Sequence, residues 1–215
     1  MKIIALLVLR KEQQANEPLI LSSAYHLNDF GYFQRNRLVR VLLLHLYLFW
    51  SSIREFANFF AKTLVKRVPL GERASVEHED TYVCHVYNAN NGLSSVVLCD
   101  KEYPRRVAFT LLGKVVDEFS KEYNENVWKN TNTELKCSFV QKAVDEYQDP
   151  AKADSIVRIQ KDLDETKIIL HKTIDSVLER GTKLDTLVEK SNDLSMQSKM
   201  FYRTARKQNS CCGFM

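Results

Sequence analysis

The sequence is poor in the residues and spacings that build phosphate loops, metal sites and disulfide frameworks. Only six of its 215 residues are glycine, and none belongs to a Gly-rich phosphate loop. The five cysteines are an odd number without framework spacing, which indicates a reducing compartment. No cluster of histidine, cysteine and carboxylate side chains has the spacing of metal ligands. These absences argue against a nucleotide-dependent enzyme, a metalloprotein and a disulfide-stapled domain.

A strong charge excess and a membrane-length apolar run are also missing. The net charge of +4 is too small to predict a nucleic-acid partner, and no aromatic–basic RNA motif is present. The apolar residues 3–9 are followed by charged residues and not by a cleavage site, so we predict a buried strand and no signal peptide. Cys84, Cys99 and Cys137 lie in strand-like or helix-like runs, which predicts buried, unreactive thiols.

The pattern up to residue 148 predicts one α+β domain. Hairpin-forming strands with helices grouped between and after them indicate an antiparallel sheet covered by helices. Asp149-Pro150 marks the end of this domain. The predicted strands lie at 2–10, 19–25, 74–78, 82–87 and 94–99. The first predicted helix ends at residue 67, and two further predicted helices cover 106–123 and 135–147.

Residues 151–210 have a different pattern, with dense charge and a single glycine, Gly181. Apolar residues at alternating three- and four-residue spacing predict one long, exposed coiled-coil helix. Threonine, serine and alanine dilute the leucine and isoleucine of its seam, which indicates a helix that needs partner helices. Besides Arg180, the seam positions are Ile156, Ile159, Leu163, Thr166, Leu170, Thr173, Val177, Leu184, Leu187, Ser191, Leu194, Ser198, Phe201 and Ala205.

Arg180 is the unusual member of this seam. A charge between packed helices is costly unless it is paired or hydrogen-bonded. One buried polar residue in a seam is also the best-attested way to set register and the number of helices. The alternative is an exposed arginine at a helix break beside Gly181. Periodicity alone leaves both interpretations open.

The last four residues, Cys212–Met215, fit the prenylation signal, and a terminal methionine favours farnesyl. Cys211 offers a second acylation site, and three basic residues lie upstream. One lipid chain binds membranes weakly, whereas two chains, or one chain and basic charge, anchor stably. The alternative is a frayed polar terminus with two idle cysteines. The basic residues are Arg203, Arg206 and Lys207.

The run Leu163–Val188 resembles the R-SNARE motif, with Arg180 at the position of that family's central ionic-layer arginine. The residues before Pro150, including Phe33–Arg35 and Tyr103–Phe109, resemble a longin domain. The two regions together with the Cys-Cys ending are similar to the prenylated YKT-six type of longin R-SNARE in the synaptobrevin superfamily, and in detail to its plant members.

This resemblance implies a profilin-like longin domain at 1–148 with a five-stranded sheet, an R-SNARE helix at 151–210 and a lipidated tail at 211–215. It implies a non-enzymatic, vesicle-associated protein that joins three Q-SNARE helices, syntaxin-like and related, to drive membrane docking and fusion. Arg180 would be hydrogen-bonded by three glutamines in that bundle.

The same resemblance implies regulation. The longin domain would fold back on the SNARE helix through a groove at Phe59, a residue that could equally be ordinary helix core. Covalent lipids, farnesyl on Cys212 and palmitoyl or another lipid on Cys211, would replace any cofactor. The expected location is the cytosol and the cytoplasmic face of Golgi, ER–Golgi, endosomal, vacuolar and plasma membranes. An alternative function is a lipid-anchored longin adaptor or sorting module without fusion activity.

Residues 36–50 depart from the family pattern. The family runs directly from a segment like Phe33–Arg35 to one like Ser51–Phe56, so these residues are extra. They are shorter than the about 20 apolar residues of a membrane span, and Arg40 and His45 interrupt them. We interpret them as read-through of non-coding sequence, with a tolerated extension as the alternative. They would lengthen the first helix or loop out, which puts closure of the groove in doubt.

Overall fold

The computed structural model describes residues 2–11, 17–26, 39–78, 82–150, 168–178 and 181–211, with the backbone alone for 39–50 and 205–211. The strands are β1 (Ile3–Arg10), β2 (Leu19–Tyr25), β3 (Arg73–His78), β4 (Tyr82–Asn88), β5 (Leu93–Asp100) and β6 (Ile168–His171). The helices are α1 (Val39–Arg67), α2 (Arg105–Glu122), α3 (Glu125–Asn130), α4 (Ser138–Glu146), a 3₁₀ turn (Ile174–Ser176), α5 (Leu184–Lys190) and α6 (Met196–Cys211).

The strands form one sheet in the order β2-β1-β5-β4-β3-β6. All neighbours are antiparallel except β3 and β6, which run parallel with Arg73 opposite Ile168 and Val76 opposite His171. Every residue of β1 is buried because this strand has neighbours on both sides and helices on both faces. The continuous apolar run at the N-terminus is therefore the buried strand that the sequence predicts.

Two apolar cores lie on opposite faces of this sheet. The first core lies under α2, α3 and α4 and receives Leu6 and Val8 from β1. The second core lies under α1 and receives Ala5, Leu7 and Leu9 from the same strand. Alternate residues of β1 therefore serve alternate cores, as the two-residue period of a strand requires.

The C-terminal end of α1 is fixed by Asn88, which is fully buried at the end of β4. Its amide Nδ2 donates to the carbonyl oxygens of Val65 at 3.1 Å and Val68 at 2.6 Å. The backbone N–H of Gly71 donates to the Asn88 carbonyl, and Gly71 adopts φ +78°, which favours glycine. The Asn88 amide thus satisfies one carbonyl in the last turn of α1 and one directly after it, and these contacts set the direction of α1 across the sheet.

The α+β class is confirmed, but two details of the expected architecture differ. The sheet has six strands and not five, because β6 of the C-terminal region adds to the edge of β3. Residues 168–178 and 181–211, which we call the C-terminal segment, do not form one long helix: they contain a strand, a 3₁₀ turn and two helices. A diluted seam buries little surface alone, so the segment gains more by packing on the sheet and α1.

Of the extra residues 36–50, residues 39–50 lengthen the first helix, which is one of the two expected outcomes. Helix α1 begins at Val39 and continues without interruption to Arg67. Residues 39–50 therefore add about three turns, or roughly 18 Å, to its N-terminal end. Residues 36–38 lie outside the described part of the chain. Groove formation is compatible with this extension, since Phe59 is 7% exposed in the second core. The origin of the extra residues stays a hypothesis.

The three internal cysteines are buried and free, as predicted. Burial raises the pKa of the Cys84 thiol to about 12 and also raises the pKa values of Cys99 and Cys137. His85 is equally buried; burial, together with the charge of Arg105, lowers its pKa to about 3. Neutral His85 pairs through Nδ1 with the hydroxyl of Ser75 at 2.7 Å. These groups are structural, because none is charged or accessible near neutral pH.

Candidate functional site

The C-terminal segment closes the second core from the side of α1. Helix α1 contributes Ala57, Phe59, Ala61, Leu64 and Val65 to this core. The segment contributes Ile174, Leu178, Leu184, Val188 and Leu194, each at most 7% exposed. Removing these five aliphatic side chains from water contributes a gross stabilisation of about 8–15 kcal/mol, at about 1.5–3 kcal/mol per residue. The interface between α1 and this segment is therefore a core and not a surface contact.

A tight turn brings the 3₁₀ turn and α5 onto the same core. Gly181 adopts φ +90°, which an arginine or leucine would rarely adopt, so the chain can reverse there. The backbone N–H of Leu184 donates to Oδ1 of Asp175 at 2.9 Å, which satisfies one free donor at the N-terminus of α5. The helix break beside Gly181, one of the two alternatives for this position, is thus present in this arrangement. Arg180 itself lies outside the described residues.

Three polar contacts from α1 hold the loop between α5 and α6 and the first turn of α6. Lys62 Nζ lies 2.7 Å from Asp193 Oδ2. Glu55 Oε2 accepts the backbone N–H of Ser195 at 2.8 Å. The Ser198 hydroxyl donates to the Ser52 hydroxyl at 3.0 Å, and both side chains are buried. These contacts cover about three turns of α1 and set the position of the segment along it.

Glu55 has a favourable environment as an anion. Burial raises the pKa of its carboxyl group, but hydrogen bonds outweigh burial and leave the pKa below the ordinary value. The backbone N–H of Ser195 gives the largest of these hydrogen bonds. Ser195 directly precedes α6, so the Glu55 carboxylate also faces the positive end of a helix dipole. Near neutral pH the ionised group stabilises the start of α6 against α1.

Aromatic and ionic contacts continue this interface towards the C-terminus. The rings of Phe56 and Tyr202 lie 5.7 Å apart between centroids. The Tyr202 hydroxyl donates to Asp185 Oδ1 at 2.8 Å, which links α6 to α5. Arg203 donates from Nε to Glu189 Oε1 at 2.7 Å and forms an exposed ion pair with that carboxylate. The two helices of the segment therefore pack as a unit on α1.

A cleft of about 200 Å³ lies beside Phe59 where α1 meets the loop after α5. Lys62, Lys66 and Lys190 line it with positive charge, and Asp193 provides a carboxylate. Phe59 is buried in the second core and also borders this cleft. Phe59 is therefore helix core that also borders a cleft, and its role in a regulatory groove stays a prediction.

The predicted seam residues differ in how far this packed arrangement buries them. Leu184, Leu194 and Ser198 are buried against α1 and the sheet. Val177, Leu187 and Ser191 are half-buried, whereas Leu170, Thr173 and Phe201 are exposed. For Ala205 and Cys211 only the helical backbone of α6 is described. Ile156, Ile159, Leu163, Thr166, Arg180 and Cys212 lie outside the described residues.

The seam pattern missed three residues that are important for this interface. Ile174, Leu178 and Val188 lie outside the three- and four-residue seam but are buried in the second core. The available signals were the β-branched pair Ile168-Ile169, typical of a strand, and Gly181, typical of a helix break. Both argue against an uninterrupted helix. A search for heptad spacing considers only the positions of apolar residues, so it ignores both signals.

Nothing in the described ranges supports catalysis or a bound metal. Within these ranges, no group of three or more histidine, cysteine, aspartate or glutamate side chains is placed to hold a metal ion. No described helix is long and apolar enough to cross a membrane. The arrangement instead buries one segment against another through apolar surface and hydrogen bonds.

Comparison with known proteins identifies both regions. The longin family, described as a Regulated-SNARE-like domain, matches residues 48–142, and the synaptobrevin family matches residues 155–212. The VAMP-like protein YKT61 of Arabidopsis thaliana is 49% identical over 99% of this chain and 98% of its own length. The synaptobrevin homologue ykt6 of Schizosaccharomyces pombe is 45% identical over 99% of this chain and 98% of its own length.

A third relative, the synaptobrevin homologue YKT6 of Saccharomyces cerevisiae, is 44% identical over 92% of each chain. The similarity thus spans both the sheet domain and the segment that packs on α1. The chain therefore belongs to the YKT6-type longin R-SNAREs, a non-enzymatic family of vesicle-trafficking proteins.

Proposed function

We propose that this chain is a vesicle-associated R-SNARE that joins three Q-SNARE helices to drive membrane docking and fusion. We further propose that the packing of its C-terminal segment on α1 is a closed resting form. One observation supports both parts: Leu184, Leu194 and Ser198 belong to the seam and are also buried in the longin domain's second core or against α1. The same side chains cannot occupy both places, so closure and bundle assembly exclude each other.

During assembly, the seam residues would move from the second core of the longin domain to the interior of the four-helix bundle. The segment leaves the second core, becomes a continuous helix, and buries its seam among three partner helices. Arg180 would then enter the bundle interior, where glutamine side chains of the partners satisfy its guanidinium. The diluted seam favours this scheme because a helix that packs poorly alone gains most from several partners.

The first test is assembly of the full chain with three Q-SNARE helices, assayed as an SDS-resistant complex. Arg180→Ala is expected to lower the stability of this complex by about 3 kcal/mol, because it removes a charged hydrogen-bond donor from a dry interior. The measurement is the temperature at which the complex dissociates. The matched control is Arg158→Ala, which removes the same side chain from a position outside the seam.

Two results would contradict the proposal. An adaptor without fusion activity would form no SDS-resistant complex at all. Equal dissociation temperatures for the Arg180 and Arg158 variants would place Arg180 outside the bundle interior.

We also propose that the chain is held at membranes by farnesyl on Cys212 and by palmitoyl or another lipid on Cys211. This anchor would allow the protein to exchange between the cytosol and the cytoplasmic face of Golgi, ER–Golgi, endosomal, vacuolar and plasma membranes. Helix α6 ends at Cys211, so a continuous helix in the bundle would transmit the force of assembly directly to the lipid-bearing residues. One chain would transmit that force poorly, which is the reason for a second lipid.

The Cys212→Ser variant is expected to be absent from the membrane fraction that survives a high-salt wash, because it lacks the prenyl chain and a single chain on Cys211 binds only marginally and reversibly. Cys211→Ser is expected to retain weak attachment through one chain. Cell fractionation measures both, and Ser210→Ala, which leaves both cysteines in place, is the control. Salt-resistant membrane attachment of the Cys212→Ser variant would refute the prenyl anchor.

A further inference from the structure

Helix α6 has an apolar and basic stripe that the longin domain does not cover. Met196 is 83% exposed and Met200 is 64% exposed, although methionine is a residue that usually packs. Arg203 is exposed one turn further on, and the backbone position of Lys207 follows four residues later in the same helix. The spacing of four, three and four residues places them on one side of the helix. We call these four positions the outer stripe.

The proposed bundle also leaves the outer stripe uncovered. The seam positions of α6 are Ser198, Phe201 and Ala205, and the helical repeat puts the outer stripe on the opposite side of the helix. In the packed arrangement the inner side carries Ser198, which contacts Ser52, and Tyr202, which stacks on Phe56. Neither arrangement therefore explains two large apolar side chains at these positions.

The charge of α6 indicates what would cover the stripe. The helix contains four basic residues and no acidic residue. Lys199 donates to the carbonyl oxygen of Glu189 in α5, and Arg203, a member of the stripe, pairs with the Glu189 carboxylate. A helix with methionine and basic side chains on one exposed side matches an anionic lipid surface, where apolar side chains enter the interface and cations meet headgroups.

We propose that the outer stripe of α6 binds the surface of anionic membranes, with Met196 and Met200 inserted at the headgroup level. The inference rests on the proposed function in one respect, that lipids on Cys211 and Cys212 bring the end of α6 to a membrane. The stripe then lays α6 along that surface in both the packed and the assembled arrangement. The longin domain lies on the opposite side of α6, away from the lipid.

The test uses the full chain with Cys211→Ser and Cys212→Ser, so that no lipid contributes. The protein is floated with phosphatidylcholine vesicles and with vesicles that also contain about 30 mol% phosphatidylserine. Binding is expected only to the anionic vesicles and is expected to fall with added salt. Adding Met196→Ser and Met200→Ser is expected to weaken vesicle binding about tenfold. Each methionine is expected to bury about half of its side chain in the lipid interface, and the serine variants lose this burial.

The control is Val127→Ser, which removes an apolar side chain of 48% exposure from α3 and is expected to leave binding unchanged. Lys207→Gln is expected to weaken binding about fivefold, the contribution of one cation near an anionic surface. Because both methionines are exposed, their double variant is expected to keep the wild-type melting temperature and the wild-type assembly with Q-SNARE helices.

Several outcomes would overturn the inference. Absence of flotation with anionic vesicles would show that the stripe has no lipid affinity. Equal binding to neutral vesicles would exclude the basic side chains from the contact, and an equal loss in the Val127 control would indicate unspecific adhesion. Impaired Q-SNARE assembly in the methionine variant would make the stripe a protein interface. Failure of all assembly with flotation intact would instead refute only the proposed fusion function.

Discussion

Replacing Val188 by aspartate is expected to release the C-terminal segment from the longin domain and to speed assembly with Q-SNARE helices. Val188 is fully buried in the second core, where a carboxylate would lack both water and a partner. It lies outside the seam, so the change spares the bundle interior. A cost of several kcal/mol shifts the closed equilibrium about a hundredfold or more towards release. Assembly is measured as the rate of appearance of the SDS-resistant complex.

Two variants on the same helix make this result interpretable. Thr186→Asp adds the same charge at an exposed position of α5 and is expected to assemble at the wild-type rate. Leu184→Asp changes a residue that is both buried in the core and part of the seam, so it is expected to release the segment but to destabilise the complex. An unchanged assembly rate for Val188→Asp would refute the closed resting form.

Replacing Arg10 by methionine is expected to lower the free energy of unfolding of the longin domain by about 3 kcal/mol. Arg10 ends β1 and is 6% exposed. Its Nη1 donates to the carbonyl oxygens of Trp128 at 2.9 Å, Lys129 at 2.6 Å and Thr131 at 2.7 Å. Methionine keeps most of the apolar stem but leaves these carbonyls at the end of α3 without their cation.

The loss corresponds to a decrease in melting temperature of about 6–12 °C for a chain of this size. The measurement is thermal or urea unfolding of the full chain. Arg106→Ala is the control, because Arg106 is exposed on α2 and its removal is expected to change the unfolding free energy by less than about 0.5 kcal/mol. Equal stability of the Arg10 variant and the wild type would show that the three hydrogen bonds contribute no net stability.

The sequence best predicted those strands and helices whose structure follows from the residue pattern of a single segment. The apolar run of residues 3–9 predicts β1 because a strand with neighbours on both sides and helices on both faces has no polar position. The turn at residues 88–92 predicts the β4–β5 hairpin, and the apolar period of residues 106–123 predicts α2. Helix α3 was missed because its six residues carry too short a pattern, although Trp128 is buried in the first core.

The candidate site was less accessible from the sequence for a physical reason. A heptad pattern records which residues can pack together in a bundle, and it correctly marks Leu184, Leu194 and Ser198 as residues that need burial. It does not record which surface buries them. Ile174 and Val188 lie outside the seam, and only the structure shows that the second core buries them.

The sequence by itself therefore determined the α+β class and the family motif around Arg180, and it predicts the seam. These features follow from local periodicity and from residues with special chemistry. Only the tertiary structure decided that the C-terminal segment forms β6, α5 and α6 against β3 and α1, and that Met196 and Met200 stay exposed. A segment with a weak seam takes its conformation from whichever surface buries its apolar side chains, and that surface lies roughly a hundred residues or more away in the chain.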